Sequence, residues 1–175
     1  MNAQSFETLL RIWDVEAEKT VQVLKALPVD KYDFRPDSGG RSLGELAWHL
    51  AEGDAYDSFG VEQRKFSFEM GPPGLERPKQ IEALAPGYER VHREATTRIR
   101  KMSPEDLERK IRHFSGEEQS GEEILWGAIF HNLHHRGQLS LMCRLAGGVS
   151  PGIFGPNREE MALFQAKAKE GTVKP

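Results

Sequence analysis

Three of the chain's six histidines, His131, His134 and His135, lie close together in one stretch of the sequence. The surrounding pattern predicts a helix from about Gly121 to Leu145, which begins at a Ser–x–x–Glu capping box and stops before two glycines. Because a helix turns by about 100° per residue, His135 points only about 40° away from His131, and both fall within the apolar stripe of the helix. His134 lies about 60° to the other side, nearer the edge of that stripe.

Two imidazoles on the apolar face of a helix need polar partners, because each ring has two nitrogens that are costly to bury unpaired. A divalent metal is one such partner, since neutral imidazole is a good ligand and side chains four residues apart stand about 5–6 Å apart at Cβ. Zinc hydrolases use the same HxxxH spacing with a glutamate after the first histidine. Asn132 stands there in this chain, so the metalloprotease interpretation lacks its catalytic base. The alternative is histidines satisfied by ordinary hydrogen bonds.

A second helix, predicted from a capping box at Ser42 to about Phe59, carries a further candidate ligand. His49 faces inward beside two leucines on this helix, although a core histidine bonded to a carbonyl group or a water molecule has the same pattern. Glu52 and Asp54 follow it and are the candidates for a catalytic base or for an outer hydrogen-bond partner of a metal ligand. The alternative for these two carboxylates is that they are solvent-facing charges.

Composition excludes several classes of function. The chain has 175 residues, a size that fits one domain over residues 1–175, and its 24 basic and 27 acidic residues give a net charge of −3 without any block of like charge. We therefore expect no general affinity for nucleic acids or membranes. No segment has the apolar run of a signal peptide or of a membrane-spanning helix. The one cysteine, Cys143, excludes an intrachain disulfide and fits the reducing cytoplasm.

Two more long helices complete the predicted framework. Apolar residues at helical spacing predict one from about Gln4 to Leu27 and another that ends near Met102 and either starts or kinks at Pro86. A Ser–Pro pair opens a short helical turn after it, and Asn157 is a candidate cap for a last short helix through Ala168. No strand with convincing alternation is present. The expected fold is an all-α four-helix bundle with a short C-terminal helix.

The segment from Gly60 to Lys79 has no helical or strand pattern and is rich in glycine and proline. Phe66, Phe68 and Met70 within it are apolar enough to fold back over a pocket. A loop of this length is often a functional lid. The alternative is a plain surface loop with locally packed aromatic residues.

The other polar residues are not expected to act as ligands or catalytic groups. His92 lies off the centre of its stripe and is expected to be solvated, and His113 falls in a polar connection and is given no role. Arg136 faces away from His131 and is expected to bond a neighbouring helix or subunit. Gln138 is nearer the histidine stripe and is an outer-partner candidate. Cys143 is expected to be a buried, unreactive thiol.

Two of these stretches resemble the DinB/YfiT-like superfamily of metal-dependent enzymes. Residues Arg41–Glu52 match the stretch around the first metal histidine of that family, and His131–Leu139 match its HxxHHRGQ signature. Residues Gly147–Pro156 are similar to the segment that follows the signature. The likeness extends over most of the chain.

The resemblance implies a four-helix bundle with up-down-down-up order that is frequently dimeric. It implies that His49, His131 and His135 bind one divalent metal ion, zinc or nickel, and that His134 is an outer or surface residue of the signature. It also implies a small-molecule substrate, with a low-molecular-weight thiol among the candidates, since some relatives are thiol transferases or thiol-dependent isomerases.

Three hypotheses about function follow. The first is a cytoplasmic metal-dependent enzyme, either a thiol-dependent S-transferase or a hydrolase, because three protein ligands leave coordination positions open. The second is a non-catalytic metal-binding stress-response or interaction module. The third, a bundle without a metal, requires that His49 lie far from His131.

Overall fold

Four long helices form a bundle that contains most of the buried apolar side chains. The computed structural model describes residues 1–67, 69 and 71–169, and the long helices are α1 (Ala3–Lys25), α2 (Leu43–Gln63), α3 (Leu84–Arg100) and α5 (Gly121–Leu145). Shorter elements connect them or follow them: a 3₁₀ turn (Ile81–Ala83), α4 (Pro104–Glu108), β1 (Lys110–Arg112), β2 (Glu118–Ser120) and α6 (Arg158–Lys169).

Side-chain caps explain where the helices that carry the histidines begin. Ser42 accepts a hydrogen bond from the backbone N–H of Glu45, whose side chain accepts one from the backbone of Ser42 in return. Ser120 and Glu123 form the same capping box at the start of α5. Asn157 caps α6, as predicted, by accepting from the backbone N–H of Glu160 at 2.7 Å.

Contacts near opposite ends of the helices define an up-down-down-up bundle. α2 and α3 run parallel, because Trp48 lies against Gly87 near their beginnings and Arg98 donates to Ser58 (Nη1–Oγ 2.8 Å) near their ends. α1 is antiparallel to α3, as the contacts Lys25–Glu89 and Asp14–Arg100 show. α1 is parallel to α5, as the contacts Glu16–Arg136 and Ala26–Cys143 show. α2 is antiparallel to α5, as the contacts Gly53–His131 and Val61–Gly121 show.

The interior consists of two apolar clusters with a polar layer between them. One cluster, at the end where α1 stops, includes Leu24, Leu43, Trp48, Leu84, Tyr88 and Leu139. The other, at the end where α1 starts, includes Leu9, Trp13, Val61, Ile99, Leu107 and Leu125. Each such large side chain contributes roughly 1.5–3 kcal/mol on burial. The buried polar residues between the clusters are Asp54, Ser58, His92, Thr96, Asn132 and Arg136.

A short antiparallel hairpin between α4 and α5 was not predicted. Its strands pair Ile111 with Gln119, and its turn contains Gly116 in the left-handed region at φ 86°. The expectation of no strand was wrong here because each strand has three residues, too few to show an alternating pattern. The bundle itself remains helical, as expected.

Some helix boundaries differ from the prediction, and α1 is among them, because it ends at Lys25 instead of Leu27. α2 continues to Gln63 instead of Phe59 and is ended by Arg64, whose φ of 55° is left-handed. α3 begins at Leu84, two residues before Pro86, because proline is tolerated in the first turn of a helix.

The loop after α2 returns one aromatic side chain to the bundle. The Phe66 ring covers Gly60 so closely that no Cβ would fit there, and it lies 4.8 Å from the His113 ring and 5.0 Å from the Phe114 ring between centroids. Phe68 and Met70, predicted to fold back with it, lie outside the described residues. Among the described helices, none has the length and apolar character needed to cross a membrane.

Candidate metal centre

His49 on α2 meets His131 and His135 of α5 where these two antiparallel helices pack. One potential ligand nitrogen from each ring lies within 4.8 Å of the other two. The ring centroid of His49 is 4.9 Å from each of the α5 rings, which are 4.4 Å apart. The structure thus brings together the three histidines that the sequence singles out, and all three are partly buried. The hypothesis that His49 is remote from His131 is excluded.

Burial lowers the pKa of His131 and of His135 below the usual imidazole value. The adjacent imidazoles lower the pKa of His131 further. For His135, the hydrogen bond to Gln138 raises the pKa, but by less than burial lowers it. Both rings are therefore neutral near pH 7, which is the form that binds a metal.

Each of the three rings has a hydrogen-bond acceptor at its Nδ1 atom. His49 Nδ1 faces Glu52 Oε2 at 3.3 Å. His131 Nδ1 faces Asn132 Oδ1 at 3.4 Å, and His135 Nδ1 faces Gln138 Oε1 at 2.7 Å. A neutral imidazole that donates from Nδ1 has a free lone pair on Nε2. The surroundings therefore leave three Nε2 atoms as the potential ligands, as in sites where an outer partner fixes the ligand tautomer.

The signature residues His134 and Gln138 form part of this arrangement. Gln138 Nε2 lies 3.1 Å from His134 Nε2, so its amide donates to one histidine while its carbonyl accepts from His135. His134 is exposed and is not among the three converging ligands, although its ring centroid lies 5.0 Å from that of His135. Its side chain orients Gln138, which in turn orients His135, and the predicted outer position of Gln138 matches the geometry.

Glu52 links the cluster to a residue that the sequence did not indicate. Its Oε1 accepts from Arg77 Nη2 at 2.9 Å, while its other oxygen faces His49. Burial raises the pKa of Glu52, but the hydrogen bonds from His49 and Arg77 outweigh it, so the net effect is a lowered pKa. Glu52 is thus an ionised outer partner of His49. Arg77 lies in the irregular loop, where no periodicity could place it.

Asp54 lies apart from the cluster, in the polar layer of the bundle. Its side chain is 0% exposed and accepts from Trp13 Nε1 (3.0 Å) and Asn132 Nδ2 (2.7 Å) at Oδ1, while Oδ2 faces His92 Nδ1 at 2.8 Å. The alternative that it is a solvent-facing charge is wrong, because α2 turns it towards α1, α3 and α5 and away from solvent.

His92 is buried, so the expectation that it is solvated was also wrong. The residue is 8% exposed, and its Nε2 atom faces Asp14 Oδ1 at 3.1 Å while Nδ1 faces Asp54. Burial lowers the pKa of His92, but the two carboxylates more than compensate and the net effect is a raised pKa. An imidazole with a carboxylate at each nitrogen is stabilised in its protonated form.

A cavity of about 680 Å³ opens beside the histidine cluster. His49, Glu52 and His131 lie on one side of it. Asp57 and His113 also line this cavity, with Asp57 Oδ1 3.9 Å from His113 Nε2. His113 was given no role because it falls in a polar connection. The hairpin brings it to the cavity wall, where Phe66 supports it from behind.

Asp57 and Arg41 give the cavity its remaining charged groups, and Tyr56 and Phe114 give it aromatic surface. Burial raises the pKa of the Asp57 carboxyl, and the interaction with His113 opposes this only in part. A carboxyl with a raised pKa is suited to proton transfer near neutral pH.

Two residues predicted to be structural do lie outside the cavity. Arg136 is 4% exposed and donates to Glu16 of α1, through Nη1 to the backbone oxygen at 2.8 Å and through Nη2 to Oε2 at 2.6 Å. Cys143 is buried, and burial raises the pKa of its thiol, which makes it a poor nucleophile.

The chemistry of the donor set fits a divalent transition-metal ion. Three imidazoles converge, and imidazole suits zinc, nickel, copper and iron alike. The outer partners Glu52, Asn132 and Gln138 hold the rings in the required tautomer.

The fold and the cluster together define a class: an up-down-down-up four-helix bundle with three histidines from two helices beside an open cavity. Comparison with known families agrees with this class. The chain belongs to the DinB family, whose profile matches residues 1–171.

Solved structures share the fold. A DinB-like protein from Bacillus cereus ATCC 10987 is 26% identical, with a TM-score of 0.70 over 85% of this chain and 97% of that one. YfiT from Bacillus subtilis, described as a probable metal-dependent hydrolase with an unusual four-helix bundle topology, is 13% identical, with a TM-score of 0.66 over 84% of this chain and 90% of its own. A mycothiol-dependent maleylpyruvate isomerase is 14% identical, with a TM-score of 0.60 over 83% of this chain and 62% of its own. At these identities the last two show likeness of fold alone.

Proposed function

We propose that this protein is a metal-dependent enzyme acting on a small molecule. The observation that supports this most directly is the convergence of three imidazoles, each with a hydrogen-bond partner at Nδ1, two of which (His49 and His131) line an open cavity of about 680 Å³. A purely structural metal site is normally closed by four protein ligands. Only three metal-ligating side chains converge here among the described residues, so the cavity has access to the remaining coordination positions.

In this proposal His49, His131 and His135 hold one zinc or nickel ion. When bound, such an ion lowers the pKa of a coordinated water or thiol and polarises a carbonyl oxygen. Glu52 orients His49 and is the first candidate for a base at the cavity, whereas Asp54 has no access to it and acts through other residues.

Asp57 and His113 extend the proposed machinery. Both face the cavity, and their 3.9 Å separation allows one to take up a proton as the other releases it. Glu52 is held ionised by Arg77, so we assign proton donation to Asp57 and His113 rather than to Glu52.

The proposed substrate is a small molecule with both an apolar part and an anionic group. Tyr56 and Phe114 offer aromatic surface, and Arg41 offers a positive charge. Hydrolysis and thiol-dependent S-transfer are the two candidate reactions. The description of YfiT favours the first, and the mycothiol dependence of the isomerase favours a low-molecular-weight thiol as co-substrate.

The non-catalytic alternative, a metal-binding stress-response or interaction module, predicts a site closed to small ligands. Titration of the zinc-loaded or nickel-loaded protein with a simple thiol distinguishes the two. A thiolate that enters the coordination shell, seen as a new charge-transfer absorption with nickel, supports an open site, and a spectrum unchanged by thiol supports the module.

Metal content of the purified, untagged protein, measured by elemental mass spectrometry, tests the ligand assignment. We expect about one ion per chain in the wild type and loss of that ion in the variants His49→Ala and His131→Ala. His113→Ala is the control, because it removes a cavity imidazole without touching the cluster, and it should retain the metal. Metal retained by the first two variants contradicts the assignment.

We further propose a homodimer in the cytoplasm. Phe130, Leu141 and Leu145 are 63, 61 and 56% exposed on the outer face of α5, which is an unusual concentration of large apolar side chains at one surface. A second copy covering this face removes it from water. Light scattering after size exclusion should give twice the chain mass for the wild type and a lower mass for Leu141→Lys.

The single, buried Cys143 accords with a reducing compartment.

A further inference from the structure

Asn132 stands between a proposed metal ligand and the most deeply buried carboxylate of the bundle. Its Nδ2 atom donates to Asp54 Oδ1 at 2.7 Å, and its Oδ1 atom lies 3.4 Å from His131 Nδ1. The Asn132 side chain is 5% exposed, so water does not supply an alternative partner for either end of the amide. In the sequence this asparagine occupies the position at which zinc hydrolases carry a glutamate.

The surroundings of Asp54 determine which way the amide points. Asp54 is 0% exposed, and donors from Trp13, Asn132 and His92 approach both of its oxygens. The indole N–H of Trp13 can only donate, so the Asp54 Oδ1 atom that it contacts is an acceptor, and Asn132 must turn its NH₂ group towards that same atom. The carbonyl oxygen then has only one direction left, towards His131.

We propose that Asp54 and Asn132 are positioning residues that fix the tautomer of His131. The fixed carbonyl of Asn132 accepts from Nδ1, so the proton of neutral His131 resides on Nδ1 and the lone pair of Nε2 faces the cluster. With the proton on Nε2, His131 cannot act as a ligand from that atom. The inference rests on the proposed metal site. Asp54 does not line the cavity, so its role is indirect and acts through Asn132.

His92 supplies the partner of the second oxygen of the buried Asp54. A buried carboxylate is costly unless it is paired and fully hydrogen-bonded. His92 faces Asp54 on one side and Asp14 on the other, and Asp14 Oδ2 accepts from Arg100 Nη2 at 2.6 Å. The line of contacts from His131 to Asp54 thus continues through α3 to the opposite surface of the bundle.

The competing interpretation is that this network only satisfies the polar groups of the core. The two interpretations differ in the tautomer of His131. Without an acceptor at Nδ1, an Nε2 proton of His131 would find acceptors in the neighbouring His49 and His135 rings, whose ligand nitrogens lie within 4.8 Å. Loss of the acceptor should therefore move the proton from Nδ1 to Nε2.

The test is nuclear magnetic resonance of the metal-free protein with ¹⁵N-labelled histidine, at a pH where His131 is neutral. Long-range proton–nitrogen correlations report the tautomer of each ring. We expect the Nδ1–H tautomer in the wild type and the Nε2–H tautomer in Asn132→Leu, a substitution of similar shape. Asp54→Leu, which frees the amide to rotate, should give the same change, and Asn132→Leu stands alone if Asp54→Leu fails to fold.

Ser58→Ala is the matched control, since it removes another buried polar group of α2, one bonded to Arg98, without affecting the amide. It should leave the tautomer unchanged. Zinc affinity, measured by chelator competition, should fall about 10–100-fold in Asn132→Leu and remain within about twofold of wild type in Ser58→Ala.

The outcomes separate this inference from the proposed function. A wild type with the Nε2–H tautomer at His131, or a folded Asn132→Leu variant that keeps both tautomer and zinc affinity, overturns the positioning role. A wild type with the Nδ1–H tautomer that binds no zinc or nickel refutes the metal site and leaves the positioning role standing.

Discussion

Gly53 of α2 packs against His131 and Asn132 of α5 at the proposed metal site. A Cβ atom at this position would lie 3.2 Å from His131 Nδ1 and 3.2 Å from Asn132 Oδ1. Non-bonded heavy atoms settle at about 3.5–4.0 Å, so Gly53→Ala must displace the ring or the amide by several tenths of an ångström. The two atoms that would move are the donor and the acceptor that orient His131.

Two effects of Gly53→Ala on stability have opposite signs. Replacing glycine within a helix by alanine gains about 0.8–1.0 kcal/mol of helix propensity. Overpacking a tight contact costs about 1–3 kcal/mol. We therefore expect the free energy of unfolding of the metal-free variant to change little or to fall by up to about 2 kcal/mol. A disturbed outer partner should weaken zinc binding by about tenfold or more, which corresponds to about 1.4 kcal/mol.

Gly137→Ala on α5 is the matched control, because nothing lies within 4 Å of a Cβ there and Gly137 is exposed in a helix interior. It should gain about 1 kcal/mol of stability at unchanged zinc affinity. Urea unfolding and zinc titration against a chromophoric chelator measure both quantities. If Gly53→Ala binds zinc as tightly as the wild type does, then either His131 is not a ligand or its orientation does not depend on this contact.

Two further predictions concern the polar layer. The pKa of His92 is raised in the folded state, so the stability that its protonated form contributes is fully present below the unfolded value of about 6.5 and is lost as the pH rises through the folded pKa. His92→Gln should therefore lower the free energy of unfolding by about 3 kcal/mol at pH 6, with a smaller difference from wild type at pH 9, as measured by urea unfolding at both pH values; a difference independent of pH contradicts the protonated state. Arg136→Met removes one of the two cationic partners of Glu16 and leaves only Lys19. It should lower the free energy of unfolding, measured by thermal or urea unfolding, by about 2–4 kcal/mol without changing zinc affinity. A loss of zinc binding in a folded variant would place Arg136 in the site.

The sequence predicted those parts of the fold and site that depend on one helix at a time. α5 runs from Gly121 to Leu145, the bounds expected from its capping box and its terminal glycines. His49, His131 and His135 were singled out as candidates because each lies on an apolar stripe, where a polar residue is conspicuous, and the structure brings the three together. Periodicity reports which face of a helix a side chain occupies, and that was sufficient to bring together residues on the facing sides of two helices.

Periodicity does not report the partner that a side chain meets across the bundle. His92 was expected to be solvated because it lies off the centre of its stripe, yet carboxylates from α1 and α2 surround it. The burial of Asp54 could not be predicted from α2 alone, because its hydrogen-bond partners lie on three other helices. Arg77 and His113 come from segments without a repeating pattern, so their approach to the site depends on the folded path of the loop and the hairpin.

The side chain of Asp54 links the relative positions of the four long helices to the geometry of the candidate metal site. Asp54 of α2 accepts from Trp13 of α1 and Asn132 of α5 and pairs with His92 of α3, so all four long helices meet at a single group. A slip of α2 by one turn, about 5.4 Å, would separate the buried Asp54 from all three partners, and a slip of α1, α3 or α5 would remove one of them, whereas the apolar clusters on either side would tolerate such a slip far better. The register that satisfies Asp54 is also the register that brings His49 opposite His131, because the two contacts lie less than two turns apart on the same pair of helices. The polar layer thus selects, among the packings that bury the same apolar surface, the one in which the three imidazoles converge.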